Sequence, residues 1–67
     1  MTRLQKARLE QGLSQSELAG CAQISVRTLQ ALEQGRRDIN KASAETVLRL
    51  SKALRVQMTD IMEDLLW

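Results

Sequence analysis

The chain has 67 residues, with 10 Lys+Arg, 8 Asp+Glu, one Cys, one Trp, and neither His nor Pro. A chain this short makes one small domain, near the lower limit for burying a core of its own. Without histidine there is no imidazole base, and one cysteine allows neither a Cys/His zinc set nor a disulfide framework, so enzyme activity, metal and cofactor are expected to be absent. The composition, 43% apolar and 27% charged without proline, points to a compact all-helical domain rather than a disordered tail. No apolar run approaches the roughly 18 residues of a membrane span, and Met1-Thr2-Arg3 leads into no signal-peptide core. A soluble cytoplasmic protein without a membrane partner is the expectation.

Residues 2–11 are helix formers throughout, and Gly12 follows as a residue able to take φ > 0. Ser14 then stands three residues before Glu17, the spacing of a capping box, and opens a second helix that stops near Ala22. Ser25 offers another N-cap, with Thr28 where a capping-box Glu would stand, and a third helix runs from about Ser25 to Gln34 before Gly35. After the polar stretch Arg36–Asn40, apolar positions at Ile39, Thr46, Val47, Leu50, Ala53 and Leu54 predict a fourth helix from about residue 40 or 41 to Ala53. A final segment places Met58, Ile61, Met62, Leu65 and Leu66 on one face, with Asp60, Glu63 and Asp64 on the other. No alternating run predicts a strand. Five short helices are expected.

Charge divides the chain unevenly. Residues 1–55 carry ten bases against five acids, a net +5, whereas residues 56–67 carry three acids and no base. This describes either a polyanion-binding face that excludes the C-terminus or ordinary solvated helix surface. Residues 15–34 are the most informative. Leu18 and Ala22 form one stripe, Leu29 and Leu32 the next, Ile24 plugs the short turn between them, and Ala19 is small where two helices would cross. The outward positions of the later helix, Val26, Arg27, Gln30 and Gln34, include no acid. Cys21 reads as a small, half-buried helix residue rather than a redox thiol.

The runs Gly12-Leu13-Ser14-Gln15, Glu17-Leu18-Ala19, Ile24-Ser25, Thr28-Leu29 and Leu32-Glu33-Gln34-Gly35 resemble the phage repressor/Cro-like, or XRE-type, helix-turn-helix family. Glu45–Leu50, Lys52-Ala53-Leu54 and Met58–Met62 extend the likeness through the fourth and fifth helices, so that it covers essentially the whole chain. It implies an all-α, five-helix repressor-type domain over residues 1–67, with the helix-turn-helix at about residues 15–34. Two departures stand out. Gln23 occupies the turn position usually held by Gly, and Arg55 replaces the Gly that usually follows the fourth helix.

The resemblance also implies roles. The third helix would lie in the major groove of double-stranded DNA with the second across its mouth. Val26, Arg27, Thr28 and Gln30 would then read bases: Arg27 suits guanine, Gln30 adenine, and Val26 a thymine methyl. Thr28 serves equally well as a cap or core support. Gln15, Ser25, Arg36, Arg37, Asn40 and Lys41 would meet the DNA backbone, with Arg3 and Lys6 as weaker candidates. The family commonly pairs an arginine of the first helix with the glutamate before the third-helix glycine, which implies a structural Arg8–Glu33 pair. Leu65, Leu66 and Trp67 form a candidate homodimer patch, and a two-fold dimer would set its reading helices about 34 Å apart on a pseudo-palindromic operator.

A sequence-specific transcriptional regulator of bacterial or phage type, acting as a repressor, is therefore expected, with a regulatory protein partner allowed. Cro-like repressors, small chromosomal regulators, restriction–modification control proteins and antitoxins all fit. The rival from another class is a protein-interaction module, antitoxin-type partners included, that keeps the fold without binding DNA.

Overall fold

Each of the first four helices opens on a hydroxyl. In the computed structural model, which describes residues 2–63, these are α1 (Arg3–Glu10), α2 (Gln15–Ala22), α3 (Val26–Glu33) and α4 (Ala44–Leu54). The side-chain oxygens of Thr2, Ser14, Ser25 and Ser43 accept from the backbone N–H of Gln5, Glu17, Thr28 and Thr46 at 3.0–3.2 Å. Each cap contributes about 1 kcal/mol by satisfying a first-turn donor. At α2 the Glu17 carboxylate reciprocates, accepting from the Ser14 N–H at 2.8 Å, so the predicted capping box is complete. A fifth helix, α5 (Met58–Ile61), completes an all-helical fold, with no strand among the described residues.

Three helix ends share one geometry. After α1, α2 and α4 the residues Gly12, Gln23 and Arg55 take left-handed backbone at φ 71°, 58° and 58°. The N–H of the residue after each then reaches back across the last turn: Leu13 to the Arg8 carbonyl, Ile24 to Ala19, and Val56 to Ser51. These are Schellman closures, for which glycine is best suited. Gln23 and Arg55 therefore each carry about 1 kcal/mol of backbone strain.

Leu4 of α1, Leu18 and Ala22 of α2, Leu29 and Leu32 of α3, Leu50 and Leu54 of α4 and Ile61 of α5 meet in one core. Burial of each large side chain is worth roughly 1.5–3 kcal/mol before entropy is counted. In this core α2 packs on α3 and α4, α4 on α5, and α1 on both α3 and α5. Ile24 packs against the core from the α2–α3 turn, and Ala19 is buried, both as expected. Among the described residues no helix is long and apolar enough to cross a membrane.

Three sequence expectations need correction. The fourth helix begins at Ala44 rather than residue 40 or 41, because Ile39–Lys41 forms a separate 3-10 turn capped by Asp38. The missed signal was Ser43-x-x-Thr46, the spacing that also starts α3 at Ser25-x-x-Thr28. The last helix stops at Ile61, where Met62 turns to extended backbone at φ −79° and ψ 146°. Cys21 is exposed, not half-buried. At about 100° per residue, Leu18, Ala22 and Ala19 span one arc of α2, and Cys21 falls about 60° outside it.

Candidate nucleic-acid interface

Two helices with a tight turn between them present one continuous face. The left-handed Gln23 ends α2, and Ser25 starts α3 two residues later. With Leu29 and Leu32 turned into the core, the opposite side of α3 carries exposed Arg27 and half-buried Ala31, flanked by half-buried Thr28 and Gln30, whereas Val26, expected to point outward, packs partly against the core one turn before Leu29. Arg27, Gln30, Ala31 and Arg36 line an open concavity there. Of these, Ala31 was not singled out in the sequence. Its signal was position, one helical turn beyond Arg27 on the same face, with a side chain small enough to admit close approach.

The acid of α3 is kept off this face. Glu33 is 3% exposed and forms a two-point ion pair with Arg8, which is 8% exposed. Nε of Arg8 donates to one carboxylate oxygen at 2.6 Å and Nη2 to the other at 3.2 Å. The third arm of the guanidinium donates to the Leu13 carbonyl at 2.8 Å, and the hydroxyl of Thr2 donates to the Glu33 carbonyl at 3.1 Å. The pair thus ties α1, the α1–α2 loop and the C-terminal end of α3 together. Sequence reasoning missed Thr2 and Leu13, whose partnerships depend on chain segments brought together only by folding.

Several proposed backbone contacts have side chains already engaged. The Gln15 amide donates to Glu33 at 3.1 Å and accepts from the Gln30 amide at 3.2 Å. The Ser25 hydroxyl accepts from the Thr28 N–H and donates to the Thr28 hydroxyl at 2.9 Å. Asn40 clasps the backbone of Glu63, donating to its carbonyl at 2.9 Å and accepting from its N–H at 3.1 Å. Glu63 in turn accepts from the Arg3 backbone N–H at 2.9 Å. Asn40 therefore holds the exit of α5 against the turn that follows α3.

The adjacent arginines diverge. Arg36 lines the concavity beside Arg27, whereas Arg37 borders a different depression with Asp38 and Glu63. Lys41 is exposed on the 3-10 turn. Arg3 and Lys6 lie in a groove between α1 and α5 together with Glu10 and Asp60. Leu65, Leu66 and Trp67, the candidate dimer patch, lie outside the described residues.

Residues 4–61 match the model of the helix-turn-helix family, a span from α1 to the end of α5. The chain belongs to that family. Its members are DNA-binding proteins rather than enzymes, and the repressor/Cro-like resemblance read from the sequence agrees with the match. Over 61 residues it is also 39% identical to the HTH-type transcriptional regulator DdrOP3 of Deinococcus deserti. That similarity covers 91% of the chain but 45% of the relative, so the chain spans less than half the length of the curated protein it matches. No solved structure matches significantly.

Proposed function

We propose that residues 1–67 act as one cytoplasmic, double-stranded DNA-binding domain of a transcriptional regulator, a repressor that occupies a pseudo-palindromic operator as a homodimer. The observation that carries this reading is the outer face of α3. Arg27, Gln30, Ala31 and Arg36 share one concavity, and the helix's acid, Glu33, is buried against Arg8. Such a face attracts phosphate and offers base edges a guanidinium and an amide.

In this reading Val26, Arg27, Thr28 and Gln30 address bases, while Arg36 and Lys41 neutralise phosphates. The backbone N–H groups that open α2 and α3, at Gln15 and Val26, are oriented as first-turn donors for phosphate oxygens. Arg37, beside Asp38 and Glu63, contributes less to the backbone than Arg36 does. Dimerisation through Leu65, Leu66 and Trp67 would supply the second half-site.

The test is binding to duplex DNA measured across salt concentrations. A domain of this kind loses affinity steeply between about 50 and 200 mM salt, and Arg36→Ala reduces the log–log slope by about one while weakening all sequences alike. Arg27→Ala instead removes preference at one or two base positions, at about 1–3 kcal/mol. Binding that is equally weak at both salt levels would refute the DNA reading and favour a protein-interaction module.

A further inference from the structure

The loop that leaves α3 carries Arg36, Arg37 and Lys41, and it is fastened to the far end of the described chain. Within the loop the Arg37 N–H donates to the Ala31 carbonyl at 3.1 Å, and the Lys41 N–H to the Asp38 carbonyl at 2.9 Å. Ile39, 3% exposed, anchors its middle in the core. Next to Ile39 the Asn40 side chain clasps the backbone of half-buried Glu63, as described above. The Glu63 carboxylate is itself fixed, accepting at 2.9 Å from the N–H of Arg3, the first residue of α1. Thr2, one residue earlier, donates its hydroxyl to the carbonyl of Glu33, the last residue of α3. Glu63 thus joins the basic loop to the start of α1, and through Thr2 to the end of the reading helix.

We propose that Glu63 is a positioning residue for DNA binding, an acid that strengthens attachment to a polyanion by holding residues 36–41 in shape. This rests on the DNA-binding reading above and adds to it a residue that touches no DNA. Charge alone gives the opposite sign. Glu63 borders the same depression as Arg37 and Asp38, and a carboxylate opposes phosphate over a range of about 10 Å in 0.1 M salt. Its removal raises the formal net charge of +2 by one and relieves Arg37 of an acidic neighbour, so electrostatics by itself predicts tighter binding. The network predicts weaker binding. Without the carboxylate, Asn40 clasps a residue no longer held by α1, and Arg36 and Lys41 must be ordered when they meet phosphate. That ordering is subtracted from the free energy of association.

Four 67-residue chains test this: wild type, Glu63→Ala, Glu63→Gln and Asn40→Ala. Each is titrated against a duplex that the wild type selects from random sequence. Glu63→Ala should bind about three- to tenfold more weakly, the cost of ordering one or two side chains, with the salt slope of the wild type. Glu63→Gln keeps a carbonyl acceptor for the Arg3 N–H and loses the charge, so it should bind at least as tightly as the wild type. Asn40→Ala should weaken binding as Glu63→Ala does, and the double variant should add little, because both act through one link. Amide exchange by NMR gives a reading that needs no DNA. The Arg37 and Lys41 amides should exchange faster in Glu63→Ala and Asn40→Ala, while the Leu29 amide inside α3 keeps its protection and shows that the fold is intact.

Equal or tighter binding by Glu63→Ala would overturn the proposal. So would unchanged protection of Arg37 and Lys41, or a Glu63→Gln chain as weak as Glu63→Ala. If Glu63→Ala also loses protection at Leu29, Asn40→Ala decides by the same criteria. A wild type without salt-dependent duplex binding would overturn the DNA reading and this proposal with it, an outcome distinct from the others, in which the wild type still binds.

Discussion

Replacing Arg8 with methionine removes three donations at once, two to Glu33 and one to the Leu13 carbonyl. The Glu33 carboxylate would remain 3% exposed with one neutral partner, the Gln15 amide. An uncompensated buried charge of this kind costs about 3–5 kcal/mol. At the usual 0.05–0.15 kcal/mol per residue, a chain of this length holds about 3–10 kcal/mol in total. Arg8→Met should therefore lower Tm by about 12 °C or more, and leave a substantial unfolded fraction at room temperature. Glu33→Met should cost less, about 2–4 kcal/mol, because the stranded guanidinium keeps the Leu13 carbonyl and lies nearer solvent. The double variant Arg8→Met/Glu33→Met removes both charges and should lose only about 0–2 kcal/mol, since apolar replacement of a buried pair is often close to neutral. Urea denaturation of the four proteins closes the cycle. If the double variant loses the sum of the two single losses, the two side chains do not compensate one another and the argument fails.

Backbone strain gives a prediction of opposite sign: Gln23→Gly or Arg55→Gly should each raise stability by about 0.5–1 kcal/mol, read as a Tm gain of several degrees. An unchanged or lowered Tm would mean that the left-handed positions carry no relievable strain. Asn40→Ala should speed amide exchange at Glu63, whose N–H loses its acceptor, at a cost of about 1–2 kcal/mol; unchanged protection of that amide would refute the clasp. The Ser14 backbone N–H, and next its hydroxyl, hold the fully exposed Glu17 carboxyl below the usual glutamate range. Its folded-state pKa is thus depressed, so its contribution is complete above the unfolded value of about 4.3 and fades as pH falls toward the lower folded value. Glu17→Gln, whose carbonyl can still accept from Ser14, should flatten the acid side of the Tm–pH curve relative to wild type, and identical curves would count against the capping carboxylate.

Whatever depends on neighbours a few residues apart was legible in the sequence alone. The capping box spans Ser14 to Glu17, and the buried stripes of α2 and α3 follow the helical period. These are local constraints, set by backbone geometry and side-chain spacing. The start of α4 was equally local, and its signal at Ser43-x-x-Thr46 was present but unread. The Arg8–Glu33 pair was anticipated only through family likeness, because 25 residues separate its members and no spacing rule connects them.

The tertiary structure alone decided how the polar side chains are shared out. Arg36 and Arg37 are neighbours in the chain, yet they border different depressions, one beside the reading helix and the other beside Asp38 and Glu63. Gln15 and Asn40 are polar and plausibly placed for phosphate, but folding gives them partners 18 and 23 residues away. The physical reason is that a long polar side chain can satisfy its hydrogen bonds in many places, and only the packed arrangement of helices determines which partner lies within 3 Å or so. Apolar periodicity determines which face of a helix is buried. The polar network across that packed core then sets which atoms of Gln30 remain free on the surface.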